Sequence, residues 1–462
     1  MIEKTNAMEM EIVRHGELLG LRTRDQRTFG FHSDTMEVAA LAPQAWTALR
    51  ALQSPSIQVE SKEENEAISE LKQWEQERAG SGTSVSRLRE PAIRSLTINV
   101  AQVCNLACTY CAAGGDGTYG SKVKTPDLEK TQELLARLLN KVPAGEKFVI
   151  TFLGGEPLLH PQILRSIERH AKLVTAGQGI KLRFDIVTNG TLVTPDAAEL
   201  LASMNAHVTI SIDGHPEDND NARLTKSGKG SSALVLKGLE ELLKVRERLG
   251  SLTAGAVFGK HGLSIVRAWE FLSVYPFDSM KFDFAAEVDD ELASKIYAKG
   301  ISEVADLAYA RGGENELRRL HVFDHLFRAL DDRARIENHC LAGKNHLQLD
   351  TDGRLTACQW FVGQKDEELG STDHAELNLK NPVLQGFSQP LIEKHGCGSC
   401  WARHICGGGC MHVNKVKNGN KHKVDHAFCE RTRTIIAKGI ERYAESRYTN
   451  GRRDDGDISE IH

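Results

Sequence analysis

The residues with the most chemistry in this chain are three thiols on one short stretch, Cys104-Asn105-Leu106-Ala107-Cys108-Thr109-Tyr110-Cys111. Thiolates are the ligands of iron–sulfur clusters, and a [4Fe-4S] cube takes four of them. Three thiols at C-x3-C-x2-C spacing therefore leave one iron open. An open iron can chelate a small molecule through an amine and a carboxylate, and the amino-acid end of a methionine derivative offers both. Taken alone, the same eight residues also suit a redox dithiol or a zinc loop.

The remaining cysteines narrow the choice. The chain has 462 residues and ten cysteines; the seven outside the loop all lie between Cys340 and Cys429. Such clustering argues for ligands rather than scattered core residues. The 58 basic and 63 acidic residues nearly cancel, so no field draws in nucleic acid or an anionic membrane. No run of eighteen apolar residues and no secretion signal is present, which predicts a cytoplasmic protein without disulfides.

The elements that must position these thiols follow from periodicity. Residues 1–80 read as a small α+β unit: short strands within Met10–Leu21 and Phe29–Phe31, then helices over Ala45–Leu52, entered through Pro43, and Glu64–Gln76. A Gly- and Ser-containing linker, Ala79–Arg94, follows. From Ser95 strands and helices alternate. Strands are predicted over Ser95–Val100, Lys147–Phe152, Leu182–Val187, His207–Ile212, Leu252–Phe258 and Met280–Phe284, with helices such as Leu128–Val142 and Leu234–Leu249 between them. Six such units make a parallel sheet covered by helices, a partial (β/α)6 barrel, whose chemistry gathers at the carboxyl ends of its strands. Ser231 or Ser232 should cap the helix after the Gly228-Lys229-Gly230 turn. Glu287–Arg318 and His321–Ile336 read as helices bridging to the cysteine-rich region. The expected domains are thus 1–80, 95–311 and 312–446, with a polar, disordered tail at 447–462.

The three-thiol loop, with Tyr110 before its last cysteine, resembles the signature of radical S-adenosylmethionine (SAM) enzymes, in which the cluster donates an electron to bound SAM and a 5'-deoxyadenosyl radical is released. Gly154-Gly155-Glu156-Pro157, one strand later, is similar to that family's GGEP motif, which holds the methionine ammonium. Thr188-Asn189-Gly190 resembles its third-strand polar turn. Ser211, with Arg223 twelve residues on, resembles the pair that contacts the cofactor ribose and carboxylate. The resemblance therefore implies SAM contacts at Gly154, Gly155, Glu156, Asn189, Ser211 and Arg223.

Cys340-x12-Gly353-x4-Cys358 and Cys397-x2-Cys400-x5-Cys406-x3-Cys410, then Cys429, match the SPASM pattern of the same enzymes. This implies two auxiliary [4Fe-4S] clusters beside the first, three in all, with Cys397, Cys400, Cys406 and Cys429 around one and Cys340, Cys358 and Cys410 around the other. The latter is one ligand short. Cys397 and Cys400 by themselves would also suit a zinc ribbon. His404, His412, His422 and His426 lie nearby and are expected to be solvated.

The implied partners are a peptide or small-protein substrate, with or without a leader, and an electron donor such as flavodoxin or ferredoxin. Residues 1–80 resemble, in element order, the winged-helix domains that offer a sheet edge to a leader peptide. The run Ala112–Gly120 is similar to that of thioether-forming maturases, such as those acting on the quinohemoprotein amine dehydrogenase small subunit. Cysteine thioethers to side-chain carbons are therefore the expected product. Carbon–carbon cyclisation and sulfatase formylglycine formation are the alternatives. Against the last, Gln359 follows Cys358 where sulfatase maturases carry an acid, although Asp350, Asp352 or Asp213 could substitute. A non-catalytic alternative is a metal-stabilised peptide-binding module.

Overall fold

Short runs of branched and aromatic residues, broken by glycine and acidic turns, build the amino-terminal part of the chain. In the computed structural model, β1 (Glu11–His15), β2 (Leu18–Arg22), β3 (Thr28–His32) and β4 (Glu37–Ala40) pair as an antiparallel meander in that order. The structure describes residues 10–54, 56–78, 92–111, 125–259, 264–285, 290–373, 381–388 and 390–448. Two helices cover the meander. Helix α1 (Pro43–Gln53) is entered through Pro43, and α2 (Lys62–Gln76) starts with a reciprocal capping box between Ser61 and Glu64. Trp46, Leu49, Leu71 and Trp74 fill the core between them. The sheet admits α1 because position 20 is glycine: a Cβ there would lie 2.5 Å from Leu49 Cδ2.

From Ser95 the alternation becomes β5 (Ser95–Ala101), α3 (Leu128–Leu139), β6 (Lys147–Gly154), α4 (Pro161–Val174), β7 (Lys181–Thr188), α5 (Pro195–Ser203), β8 (His207–Ser211), α6 (Pro216–Ala222), α7 (Ser232–Lys244), β9 (Ser251–Phe258), α8 (Ile265–Leu272) and β10 (Ser279–Phe284). Strands β5 to β10 are parallel and adjacent in sequence order. This is the predicted α/β architecture, a partial (β/α)6 barrel. Along β6, Phe148, Ile150 and Phe152 are fully buried while Val149, Thr151 and Leu153 are less covered. One face of the sheet thus packs on helices and the inner face stays partly open. Thr151, Asp185, Ser211 and Asp283 all share the parity of that inner face.

The next two helices are α9 (Glu291–Arg318) and α10 (His321–Asp331). The single helix expected over Glu287–Arg318 is broken at Gly312 and Gly313, the latter at φ +62°, a conformation that costs glycine little. The chain then adds β11 (His346–Leu349), β12 (Arg354–Thr356) and β13 (Glu368–Ser371), followed by α11 (Pro382–Ser388). Strand β11 pairs parallel with β5, and β12 and β13 continue antiparallel, so the sheet has nine strands in the order β10-β9-β8-β7-β6-β5-β11-β12-β13. Sequence periodicity missed these three because each has only three or four residues. The last helices are α12 (Leu391–Lys394), α13 (Arg403–Cys406), α14 (Met411–Asn418) and α15 (His426–Tyr448).

Two compact units divide the chain. One comprises Leu88–Val288 and Leu341–Gln389; the other comprises Met1–Arg87, Asp289–Cys340 and Pro390–His462. Within the second, α15 lies along α9, Arg27 pairs with Glu445, and the Tyr448 hydroxyl donates to Val38 O at 3.0 Å. No helix among the described residues is long and apolar enough to cross a membrane.

His32, fully buried at the end of β3, accepts the backbone N–H groups of Asp34 and Thr35 on Nδ1, at 3.2 and 3.1 Å. Burial holds its pKa below 6.5, although Glu17, Asp34 and Glu37 pull the other way. A lowered folded pKa means that the unfolded chain binds the extra proton first, so stability falls as pH drops below about 6.5, with a slope approaching about 1.4 kcal/mol per pH unit. Thermal midpoints measured between pH 7.5 and 5.5 should fall in the wild type and fall less steeply in His32→Gln.

Candidate iron–sulfur and cofactor site

Strand β5 ends in a register shift against β6, between Asn99 and Ala101. The backbone then turns over the end of β6 and enters the three-thiol loop. Gly155 N donates to Ala101 O at 2.7 Å and Glu156 N to Val103 O at 3.2 Å. A Cβ on Gly154, which sits at φ +126°, would lie 2.2 Å from Ala101 O, and one on Gly155 would lie 2.1 Å from Val103 O. The close approach these glycines allow is to the root of the three-thiol loop.

Glu156 follows, fully buried. Its Oε1 accepts from Leu158 N at 2.9 Å and from Thr188 Oγ1 at 2.8 Å, and its Oε2 accepts from Asn189 N at 2.7 Å. Burial outweighs these donors and pushes the carboxyl up to about 7. Glu156 thus ties the end of β6 to the end of β7. Asn189 carries the tie onward: its Nδ2 lies 3.5 Å from Cys104 Sγ and donates to Asn105 Oδ1 at 2.8 Å, while its Oδ1 accepts from Thr191 Oγ1 at 2.6 Å. Leu106 N also donates to Cys104 Sγ, at 3.4 Å.

The far side of the loop is held by the segment after α6. Ala107 N donates to Leu224 O at 2.7 Å, Thr109 N donates to Ala222 O at 3.0 Å, and Leu106 bridges Thr225. Between these contacts lies Arg223, 6% exposed, with Nη2 donating to Asp213 Oδ1 at 3.1 Å and Nε 3.0 Å from Oδ2. The Tyr110 hydroxyl donates to Asp213 Oδ2 at 2.7 Å, and the guanidinium lies 5.4 Å from its ring centroid. Asp213 raises the Arg223 pKa against the effect of burial, and burial pushes the Tyr110 hydroxyl well up. Ser231 stands at the cap position of α7 but donates its hydroxyl to Arg223 O at 2.7 Å; Asp220 accepts Ser232 N at 2.7 Å and serves the helix start.

All ten cysteines are thiols, none in a disulfide. Cys104, Cys108 and Cys111 lie within electrostatic reach of one another, and burial raises the thiol pKa of Cys104 and of Cys108, the latter to about 11. In the other unit Cys397, Cys400, Cys406 and Cys429 lie close enough to feel one another's charge, with burial pushing Cys406 up to about 12 and Cys429 up to about 11. Cys410 follows three consecutive glycines at positive φ, Gly407, Gly408 and Gly409, and its sulfur accepts backbone N–H groups of His412 and Val413. Cys340 belongs to the same unit and Cys358 to the barrel unit. Soft thiol donors grouped three and four together suit iron–sulfur clusters. Among the described residues no three His, Cys, Asp or Glu side chains converge as one metal ion requires; a cube distributes its thiolates over separate irons.

Ser211 ends β8 on the inner face. His404 and His412, expected to be solvated, are buried, and His404 Nε2 faces Arg335, Arg403 and Asp34. The run Ala112–Gly120 lies outside the described residues. Sequence reading missed Tyr110 and Asp213 as partners because a strand-end acid announces nothing about which aromatic it meets; it also missed the second-strand-to-third-strand tie through Thr188.

Residues 98–261 match the family model of the radical SAM superfamily. Those residues, which lie in the barrel, form a radical SAM domain. Over 375 residues the chain is 24% identical to the radical SAM cyclopropyl synthase TigE of Paramaledivibacter caminithermalis, spanning 76% of this chain and 74% of that one. It is also 24% identical to the cysteine-type anaerobic sulfatase-maturating enzyme of Clostridium novyi, over 73% and 93% of the two chains. Among solved structures, native anSMEcpe with bound AdoMet superposes with a TM-score of 0.65 at 20% identity, covering 77% of this chain and 99% of that one. SuiB of Streptococcus suis bound to the precursor peptide SuiA gives 0.51 at 14% identity, covering 90% and 99%. In the radical SAM domain, then, the glycine pair and Glu156 form the frame on which the thiol loop rests.

Gly155→Ala should displace that loop. A methyl group 2.1 Å from Val103 O forces backbone movement costing about 1–3 kcal/mol, so the variant should melt earlier and retain less iron after reconstitution. Equal iron content in variant and wild type would contradict this.

Proposed function

We propose that this protein modifies a ribosomally made peptide or small protein by reductive cleavage of SAM, forming cross-links within it. The observation that carries the reading is the three-thiol loop rooted on Gly154 and Gly155 at the carboxyl ends of β5 and β6 in a radical SAM domain. Relatives whose names describe sulfatase maturation and cyclopropyl synthesis, and a structural neighbour bound to a precursor peptide, support a peptidic substrate. A [4Fe-4S] cluster on Cys104, Cys108 and Cys111 with SAM on its open iron would supply an electron and the hydrogen-abstracting 5'-deoxyadenosyl radical.

The chain's own residues would then bind and orient. Asn189 steadies Cys104 and neighbours the SAM site, with Gly154, Gly155 and Ser211; Glu156 and Arg223 act from behind, as braces. Two auxiliary [4Fe-4S] clusters, on Cys397, Cys400, Cys406 and Cys429 and on Cys340, Cys358 and Cys410, bring the proposed total to three. Flavodoxin or ferredoxin is the donor class suited to reduce them. Residues 1–80, with their four-stranded meander, are the proposed docking unit for a leader.

The product we favour is a thioether between cysteine and a side-chain carbon. Joining S–H to C–H removes two hydrogens: one leaves as the abstracted atom, the other as a proton and an electron, and the auxiliary clusters are the proposed electron sink. Carbon–carbon ring closure is the second reading, supported by the similarity to the cyclopropyl synthase. Formylglycine formation is less well supported. Gln359 stands where an acid would be needed, Asp213 is spent on Tyr110 and Arg223, and Asp350 accepts Asp352 N and Arg354 N at 2.9 and 2.8 Å.

Anaerobically reconstituted protein should carry about twelve irons, about four per cube, and release 5'-deoxyadenosine with dithionite and SAM. The triple replacement of Cys104, Cys108 and Cys111 by Ala should abolish that product and remove about a third of the iron, since one cube of three is lost. Survival of cleavage in the triple variant would sink the assignment. Mass spectrometry of a modified peptide separates the products. A loss of two hydrogens with cysteine protected from alkylation marks a thioether; the same loss with every thiol alkylatable marks carbon–carbon closure; a hydrazide-reactive aldehyde marks formylglycine.

A further inference from the structure

Asp213 has no spare oxygen. Its Oδ1 accepts from Arg223 Nη2 at 3.1 Å and from Val257 N on β9 at 3.0 Å, and its Oδ2 accepts from the Tyr110 hydroxyl at 2.7 Å with Arg223 Nε 3.0 Å away. Its own N–H donates to Asn219 Oδ1 at 3.2 Å, and Arg223 O is bound by Ser231. One buried ion pair thus joins the end of β8, β9, the entry to α7 and the three-thiol loop. Taking two charges out of water is expensive, and apolar side chains of similar volume would pack this space as well. What the pair supplies is direction. Tyr110 stands between Cys108 and Cys111, its hydroxyl on the acid and its ring under the guanidinium, while the backbone before it is pinned at Ala107 and Thr109 to the residues on either side of Arg223.

We propose that Asp213 and Arg223 are positioning residues for the three-thiol loop, acting through Tyr110 to fix the sulfurs of Cys108 and Cys111 relative to Cys104. The proposal rests on reading that loop as the ligand set of the SAM-binding cluster. It gives Arg223 work to do before any cofactor is bound, in contrast to a direct salt bridge with the SAM carboxylate.

The test uses full-length protein, first without iron. Tyr110→Phe leaves the buried pair intact and removes only the tie to the loop, so it should fold where Asp213→Asn, which strands a buried guanidinium, need not. Alkylation rates of individual cysteines, read by mass spectrometry, should rise about tenfold or more at Cys108 and Cys111 in Tyr110→Phe, the fold-change corresponding to one hydrogen bond to a charged group. Cys397, Cys400, Cys406 and Cys429 should keep wild-type rates. Arg223→Lys, which keeps the charge and loses the fork, should loosen the same two thiols. After reconstitution, both variants should lose iron to a chelator faster than wild type and show an altered paramagnetic resonance response to SAM. Wild-type thiol rates in both variants, with weakened SAM binding in Arg223→Lys alone, would overturn the proposal in favour of a direct SAM contact. A general rise across all ten cysteines would also overturn it, as global loosening. Iron content that ignores the Cys104, Cys108 and Cys111 replacements would instead overturn the cluster assignment and leave the thiol result standing.

Discussion

The three-thiol loop depends on the space that two side chains do not occupy. Gly154 and Gly155 let the end of β6 lie directly under the backbone between Ala101 and Cys104, close enough for Gly155 N to donate to Ala101 O. Once that contact forms, the next residue must turn inward. Glu156 does so, and three donors from two strand ends converge on its carboxylate. A fully buried carboxyl is costly, and the arrangement persists because each of those donors would otherwise be an unmet N–H or O–H. One close approach therefore sets the register of the loop, the turn after β6 and the turn after β7 together.

The same contact explains which parts of the site could be read from the chain. The six parallel strands were legible within a residue or two at each end, because a strand buried on its helix-facing side needs alternate large apolar residues and shows them plainly, as at Phe148, Ile150 and Phe152. The grouping of the cysteines was legible too, because short spacings on a loop keep thiols such as Cys104, Cys108 and Cys111 near one another. The strands β11 to β13 were not, since three or four residues give periodicity no room. The break at Gly312–Gly313 was hidden for the opposite reason, a long helical run before it and charged residues up to Arg318 after it masking two residues of punctuation.

Side-chain direction was the least legible property. Glu156 and Arg223 stand at motif positions from which a charged residue could reach a cofactor, and spacing cannot say whether it reaches outward or back into the protein. The structure turns both back: Glu156 toward Thr188 and Asn189, Arg223 toward Asp213. Their partners are a hydroxyl, a backbone N–H and a strand-end acid, residue types common enough that no pattern marks them. The smaller Ser211, only partly covered, keeps the parity of the inner face.

That division of labour bears on the reaction. A thiol joined to carbon must lose its proton, and a formylglycine route asks a protein carboxylate to take one. Two of the candidate acids are already engaged: Asp213 by a guanidinium, a phenol and a backbone N–H, and Asp350, at its Oδ1, by the turn between β11 and β12. Freeing either would strand the donors that now bond it, at about 1–3 kcal/mol for each. A substrate sulfur bound to an iron needs no such base, because coordination to a cation removes the proton directly. The engaged carboxylates therefore fit the proposed thioether chemistry better than oxidation by a side-chain base.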